Sequence, residues 1–161
     1  MDSAEYNKCV KDYADSVFRF ILKNMGDREK ARDIVQESFS KMWEKAPELS
    51  FEKSKAYLFT TAYHTMIDMI RKDKRQTVID DSHINQQLTF NRYSDLQEVL
   101  NRALDTLPEI QKTVITLRDY EGYSYEEIGG ITGLSESQVK VYIYRARVAL
   151  KNYIGTIERV I

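Results

Sequence analysis

Between Gln76 and Ser94 the helical spacing that organises the rest of the chain stops. The stretch is rich in Asn, Gln, Asp and Thr and holds one basic residue, Arg92. A structureless connection of that length does not fit inside one compact domain. The chain therefore divides into two small helical domains, 1–75 and 95–161, joined by a flexible linker over 76–94.

On both sides of the linker, apolar residues recur three and four apart, the period of an amphipathic helix. Tyr6, Val10, Tyr13, Val17 and Ile21 draw one stripe, which Met25-Gly26 should end and after which Asp27 can cap a second helix. Ala31, Ile34, Val35, Phe39, Met42 and Ala46 carry that second helix to Pro47, with Trp43 assigned to the core. Leu58, Ala62, Met66 and Ile70 mark a third, which closes in the charged run Arg71 to Arg75. Beyond the linker, Leu96, Val99, Leu100, Ala103, Leu104 and Leu107 lead to Pro108, a residue tolerated in a first helical turn, and then to Ile110, Val114 and Leu117. Gly122 ends that helix, and two more come after it, Tyr125 to about Thr132 and Glu136 to about Tyr153. No stretch alternates as a strand does, so the fold class is all-α.

The formal net charge of −1 excludes a strongly basic, histone-like protein, and any attraction to a polyanion must come from local clustering. One cysteine, Cys9, and two histidines fall short of a structural zinc site, so neither metal nor cofactor is expected. There is no Gly-rich phosphate loop or nucleophile motif, and the carboxylates are scattered as on helix surfaces, which argues against an enzyme. The N-terminus carries acids where a signal peptide needs bases, and no apolar run approaches the roughly 20 residues that span a bilayer. A cytoplasmic, reducing setting is the expectation.

The last two helices are joined by Gly133-Leu134-Ser135, a tight turn with a capping Ser, which is the pattern of a helix-turn-helix. Val139, Ile143, Ala146 and Leu150 would face the core. Lys140, Val141, Tyr144, Arg145 and Arg147 would face outward, offering cations to phosphates and base edges. The same bases also fit an ordinary helix whose C-terminal cations answer its dipole. Four or so phosphate contacts give weak, salt-sensitive binding, so another source of affinity is needed.

Three stretches carry a resemblance: ARDIVQESFSKMWEK from Ala31, AYLFTTAYHTMIDMIRK from Ala56, and the segment from Ala103 to Leu150. In this order they resemble conserved regions two and four of bacterial extracytoplasmic-function (ECF) sigma factors. The resemblance implies a non-enzymatic initiation factor that gains its affinity by binding core RNA polymerase. Its partners would be the polymerase beta-prime coiled coil and beta flap, promoter DNA and an anti-sigma factor. Asp33, Gln36 and Glu37 match the polymerase-binding positions. Lys53, Lys55, Tyr57, His64, Arg71 and Lys72 match the region that melts and reads the minus-ten element, with His64 where many relatives carry Asn. Gln138, in place of a frequent Thr, joins Lys140, Val141, Tyr144, Arg145 and Arg147 in the region that reads the minus-thirty-five element. Gly129 and Gly130 depart from the usual Ala and larger residue, which predicts a soft helix there.

Two other classes fit parts of the pattern. A dimeric operator-binding regulator would use the helix-turn-helix but would need neither the polar DIVQESF face nor the basic end of the third helix. A helical adaptor that occludes a partner would need none of the DNA-facing residues.

Overall fold

The computed structural model describes residues 1–76 and 95–160, and the side chains of 1–75 and 96–156. Of the linker expected over 76–94, Gln76 closes a helix and the rest lies outside the described residues. Among the described residues there are helices and turns and no strand.

Helix α1, Ser3–Met25, opens with a capping box: the Asp2 carboxylate accepts from the Glu5 N–H, and the Glu5 carboxylate accepts from the Asp2 N–H. Gly26, left-handed at φ 71°, ends it, and Asp27 caps α2, Arg28–Lys45, as the spacing predicts. Two 3-10 turns, Ala46–Glu48 and Phe51–Lys53, lead into α3, Ser54–Gln76. The three helices close on Phe20, Ile21, Ile34, Met42, Leu58, Phe59 and Met66.

The buried face of α1 is turned from the expected stripe. Cys9, Val17, Phe20, Ile21 and Asn24 are inside, while Val10 is 36% exposed. Cys9 is on the same inner face as Val17, Phe20 and Ile21, and its thiol donates to the Ser54 hydroxyl at 3.1 Å at the start of α3. Trp43 is 53% exposed and not in the core. The inward positions of α2 are Ala31, Ile34, Ser38, Phe39 and Met42, so Trp43 falls on the rim and packs edge-on against Tyr6 at 4.9 Å.

The second unit consists of α4 (Asp95–Asp105), α5 (Glu109–Ile115), α6 (Tyr125–Thr132) and α7 (Glu136–Val160). Helix α4 buries Ala103 and Leu104 and leaves Leu96, counted in the expected stripe, 73% exposed. Helix α5 runs into a π-helical turn, Thr116–Tyr120, that spacing does not reveal. There the Glu121 N–H donates to the Thr116 carbonyl and the Tyr123 N–H to that of Leu117. Such turns take up an extra residue and re-aim the chain beyond them. The residue re-aimed is Tyr123, which enters the first unit: its ring meets Phe59 edge-on at 5.1 Å, and Phe59 in turn meets Phe20 at 5.7 Å. The two helical units are thus docked, with a core continuous from one to the other.

The paired glycines of α6 are not equivalent. A Cβ on Gly129 would stand 2.8 Å from the Leu134 carbonyl oxygen, while Gly130 has open space. Gly130→Ala should therefore stabilise the chain by about 1 kcal/mol through helix propensity. Gly129→Ala should destabilise it by forcing the turn apart. Urea unfolding of the two variants checks this, and equal shifts of one sign would contradict it.

Candidate nucleic-acid and polymerase interfaces

The turn between α6 and α7 is held by Gly133, left-handed at φ 81°, whose N–H donates to the Gly129 carbonyl. Ser135 then caps α7: its hydroxyl accepts from the Gln138 N–H, and the Gln138 side-chain oxygen accepts from the Ser135 N–H at 2.9 Å. Gln138, expected to contact DNA, thus commits its side-chain oxygen to the cap. Val139, Ile143 and Ala146 are buried. This pins the rotation of α7 and turns Lys140, Val141, Tyr144 and Arg145 to solvent, with Tyr144 69% exposed. Ser137, Gln138, Val141, Tyr142 and Arg145 line a hollow of about 200 Å³ on this face.

Neighbouring groups position the cations. Lys140 lies 3.6 Å from Glu136 and over the Tyr125 ring. Arg147 makes two bonds to Asp119, at 2.6 and 3.3 Å, which hold its guanidinium above its ordinary pKa. It braces α7 against the π turn, so its charge is partly answered. Arg145 has Tyr142 at 6.0 Å and points outward.

Of the residues expected at the minus-ten element, Tyr57, His64 and Arg71 share one face of α3 with Lys72 beside it, and Lys55 lies on the opposite side, against the second unit. Lys53 is exposed ahead of the helix, His64 is exposed beside Tyr63, and Arg71 and Lys72 are exposed near its end. From Tyr57 to Arg71 that face advances about 21 Å along the helix. Arg71, Lys72 and Arg75 share a cleft of about 410 Å³ with Glu37 and Lys41. Of the aromatics, Phe59 and Tyr63 belong to the core, and Tyr57 is half-buried with its hydroxyl toward the Lys41 carbonyl at 3.4 Å. Lys55 is also half-buried, covered by the Tyr123 ring at 4.7 Å.

On α2, Asp33, Gln36 and Glu37 are exposed on one face. Ser40 and Trp43 continue that face at the next three- and four-residue steps, and both are exposed. Reading Trp43 as core missed it; its spacing from Gln36 and Ser40 is the signal that places it here.

The Ser124 N–H donates to the Glu127 carboxylate at 3.0 Å at the start of α6 and holds its pKa below the ordinary value. A carboxylate depressed in the fold stabilises above its unfolded pKa and loses that contribution as pH falls through its folded one. Thermal midpoints measured from about pH 6 to about pH 3 should therefore fall more steeply in the native chain than in Glu127→Gln, which keeps the acceptor without the titration. Parallel curves would contradict this.

The Sigma-70 region 2 family model matches residues 9–76, and the Sigma-70, region 4 model matches residues 97–150. The chain is 34% identical to the RNA polymerase sigma factor SigV of Bacillus subtilis (strain 168), over 86% of this chain and 84% of that protein. It is 30% identical to the ECF RNA polymerase sigma factor SigM of the same organism, over 86% and 88%. Among solved structures it resembles the sigma factor RpoE of Bartonella quintana in complex with the anti-sigma factor NepR. That match has a TM-score of 0.80 at 25% identity, over 93% of this chain and 96% of that one. With both regions matched in order and relatives aligned across both helical units, the chain belongs to the ECF sigma factors.

Proposed function

We propose that the chain directs core RNA polymerase to its promoters and performs no chemistry of its own, acting in the cytoplasm where the polymerase is. Residues 1–75 serve polymerase binding and the minus-ten element, and 95–161 serve the minus-thirty-five element and the beta flap. The observation that carries this is the division of α7: three apolar residues locked inside, with Lys140, Val141, Tyr144 and Arg145 outside as one polar and aromatic face. That is what a helix entering a major groove requires.

The second support is α2, whose exposed face joins acids and an amide to an indole. An exposed Trp flanked by polar groups is the composition of an interface anchor, and Asp33, Gln36, Glu37 and Trp43 are assigned to the polymerase coiled coil. Lys53, His64, Arg71 and Lys72 are assigned to the melted minus-ten strand, which calls for cations along a backbone. Tyr57 offers a flat ring on the face of His64 and Arg71. An anti-sigma factor that covers these faces is proposed as the regulator, as the Bartonella sigma factor has one in its complex.

Gel filtration with bacterial core polymerase, followed by transcription from fragmented genomic DNA, tests the reading. Co-elution and new start sites are expected; elution alone with unchanged starts would overturn it in favour of a dimeric operator-binding regulator. Arg145→Ala should lower minus-thirty-five-dependent transcription about 10- to 100-fold, the loss of one base or phosphate contact, with core binding retained. Trp43→Ala should do the reverse, weakening core binding by about 2 kcal/mol or more without altering which promoters are chosen. If both variants lost both properties equally, the assigned division of labour would be wrong.

A further inference from the structure

The residues of α7 expected at the minus-thirty-five element are not equally free to read it. Gln138 serves the cap: its side-chain oxygen accepts from the Ser135 N–H at 2.9 Å, and its own N–H donates to the Ser135 hydroxyl at 3.1 Å. Arg147 is turned back on the fold by two bonds to Asp119, at 2.6 and 3.3 Å. Lys140 lies 3.6 Å from Glu136 and 5.6 Å over the Tyr125 ring. What remains is Val141, Tyr144 and Arg145, spaced three and four apart and so forming one patch on the outer side of the helix. Val141 is 45% exposed and Tyr144 69%, two large side chains that the fold leaves uncovered. Among the described residues no acid pairs with Arg145, and the Tyr142 ring stands 6.0 Å from its guanidinium.

The chemistry of this patch is one-sided. A guanidinium offers N–H donors and no acceptor, and the valine side chain offers neither. The single side-chain acceptor of the three is the Tyr144 hydroxyl. In the major groove guanine presents two acceptors and thymine an acceptor with a 5-methyl group, whereas adenine and cytosine each present an amino group. An amino group against Val141 would lose water and meet no acceptor, the cost of any buried donor left unpaired. A 5-methyl group there removes apolar surface from water on both sides. Val141 and Arg145 also both line the hollow of about 200 Å³ on this face, which gives such a methyl a concave seat beside the guanidinium.

We infer that Val141 sets the base preference of α7 by seating the 5-methyl group of a thymine in this hollow, beside a guanine held by Arg145, while Gln138 and Arg147 position the helix and read no base. The inference rests on the proposed entry of α7 into the major groove and deepens it. Val141 and Arg145 are about 6 Å apart along the helix, so the two bases fall within about two base pairs of one another at about 3.4 Å each.

The test selects duplexes with a randomised stretch twice, by the full chain with bacterial core polymerase and by the full chain alone. In the duplexes recovered, each thymine is replaced in turn by deoxyuridine, which lacks only the methyl group, and each guanine by 7-deazaguanine, which lacks the N7 acceptor. One deoxyuridine should weaken binding about 4-fold, the loss of one buried methyl group. One 7-deazaguanine within about two base pairs of it should weaken binding about 10-fold. Val141→Ala should abolish the first effect and keep the second, and Arg145→Ala should do the opposite. Val141→Asn, which brings an acceptor to an exposed position, should recover adenine or cytosine in place of that thymine. Gln138→Glu, which keeps an oxygen at the cap, should recover the native sequence. The inference is overturned by a recovered element without thymine, by binding indifferent to every deoxyuridine, or by a methyl dependence that survives Val141→Ala. A changed base preference in Gln138→Glu would overturn it too. If the chain alone recovers the methyl-dependent sequence and core polymerase adds nothing, the polymerase reading fails and the base reading stands. If neither selection recovers a sequence, both fail.

Discussion

Tyr123 is where two helical units become one core. Without its ring, Phe59 would lose its edge-on partner from the second unit, and that unit would present a large aromatic to water. Its position is produced by the π turn at Thr116–Tyr120, which takes up the extra residue that lets the chain leave α5 toward α3. The same turn carries Asp119 and Tyr120, and Glu121 comes directly after it; these reach Arg147, Lys23 and Arg19 respectively. A single local irregularity in hydrogen bonding thus aims one residue at the recognition helix and three at the first unit. This couples the orientation of α7 to the docking of the units.

The charge distribution is equally local. A chain of net charge −1 cannot rely on its overall field to find DNA. Its cations are instead placed on one face of α7 and along α3, and several are already answered by acids. Arg147 has Asp119, Lys140 has Glu136, Lys41 has Glu37 and Lys74 has Glu109. Exposed pairs of this kind add little stability. Their effect is to answer part of the local positive charge of α7, α3 and α2 with acids of the same chain.

Helix caps were legible because they rest on local chemistry, whereas the end of α7 was not: it runs to Val160, past the expected Tyr153. Gly26 and Gly133 need a left-handed backbone, Asp27, Ser124 and Ser135 cap through their own side chains, and each is visible as a residue type at the right spacing. The buried side of α7 was legible too, because Val139, Ile143 and Ala146 keep one period. Where two partners compete for a helix, periodicity fell short. Cys9 is inside and Val10 outside because burying Val17, Phe20 and Ile21 against α2 and α3 sets the rotation of α1. Trp43 is apolar by type, yet it stands outside because Met42 beside it fills the inner position. The glycines of α6 read as softness, but Gly129 answers a close approach of Leu134 that only the fold reveals. The docking of the units was not legible at all: it depends on a π turn and on Asn24, a buried amide that bonds the Phe20 carbonyl of its own helix and two threonine hydroxyls in the other half of the chain.

That buried amide explains how docking can be specific without being permanent. An interface of apolar rings alone would tolerate sliding. Asn24 is satisfied by two threonine hydroxyls at fixed places on α5 and the π turn, so one register is selected. The same group limits the strength of the contact, since a buried amide gains little over water when its bonds are exchanged one for one. The Arg19–Glu121 pair behaves alike: its acid is buried, but its base is 48% exposed and open to solvent competition. Polar contacts of this kind fix geometry while adding modest net stability, whereas a wholly apolar seam would add strength without selecting a register.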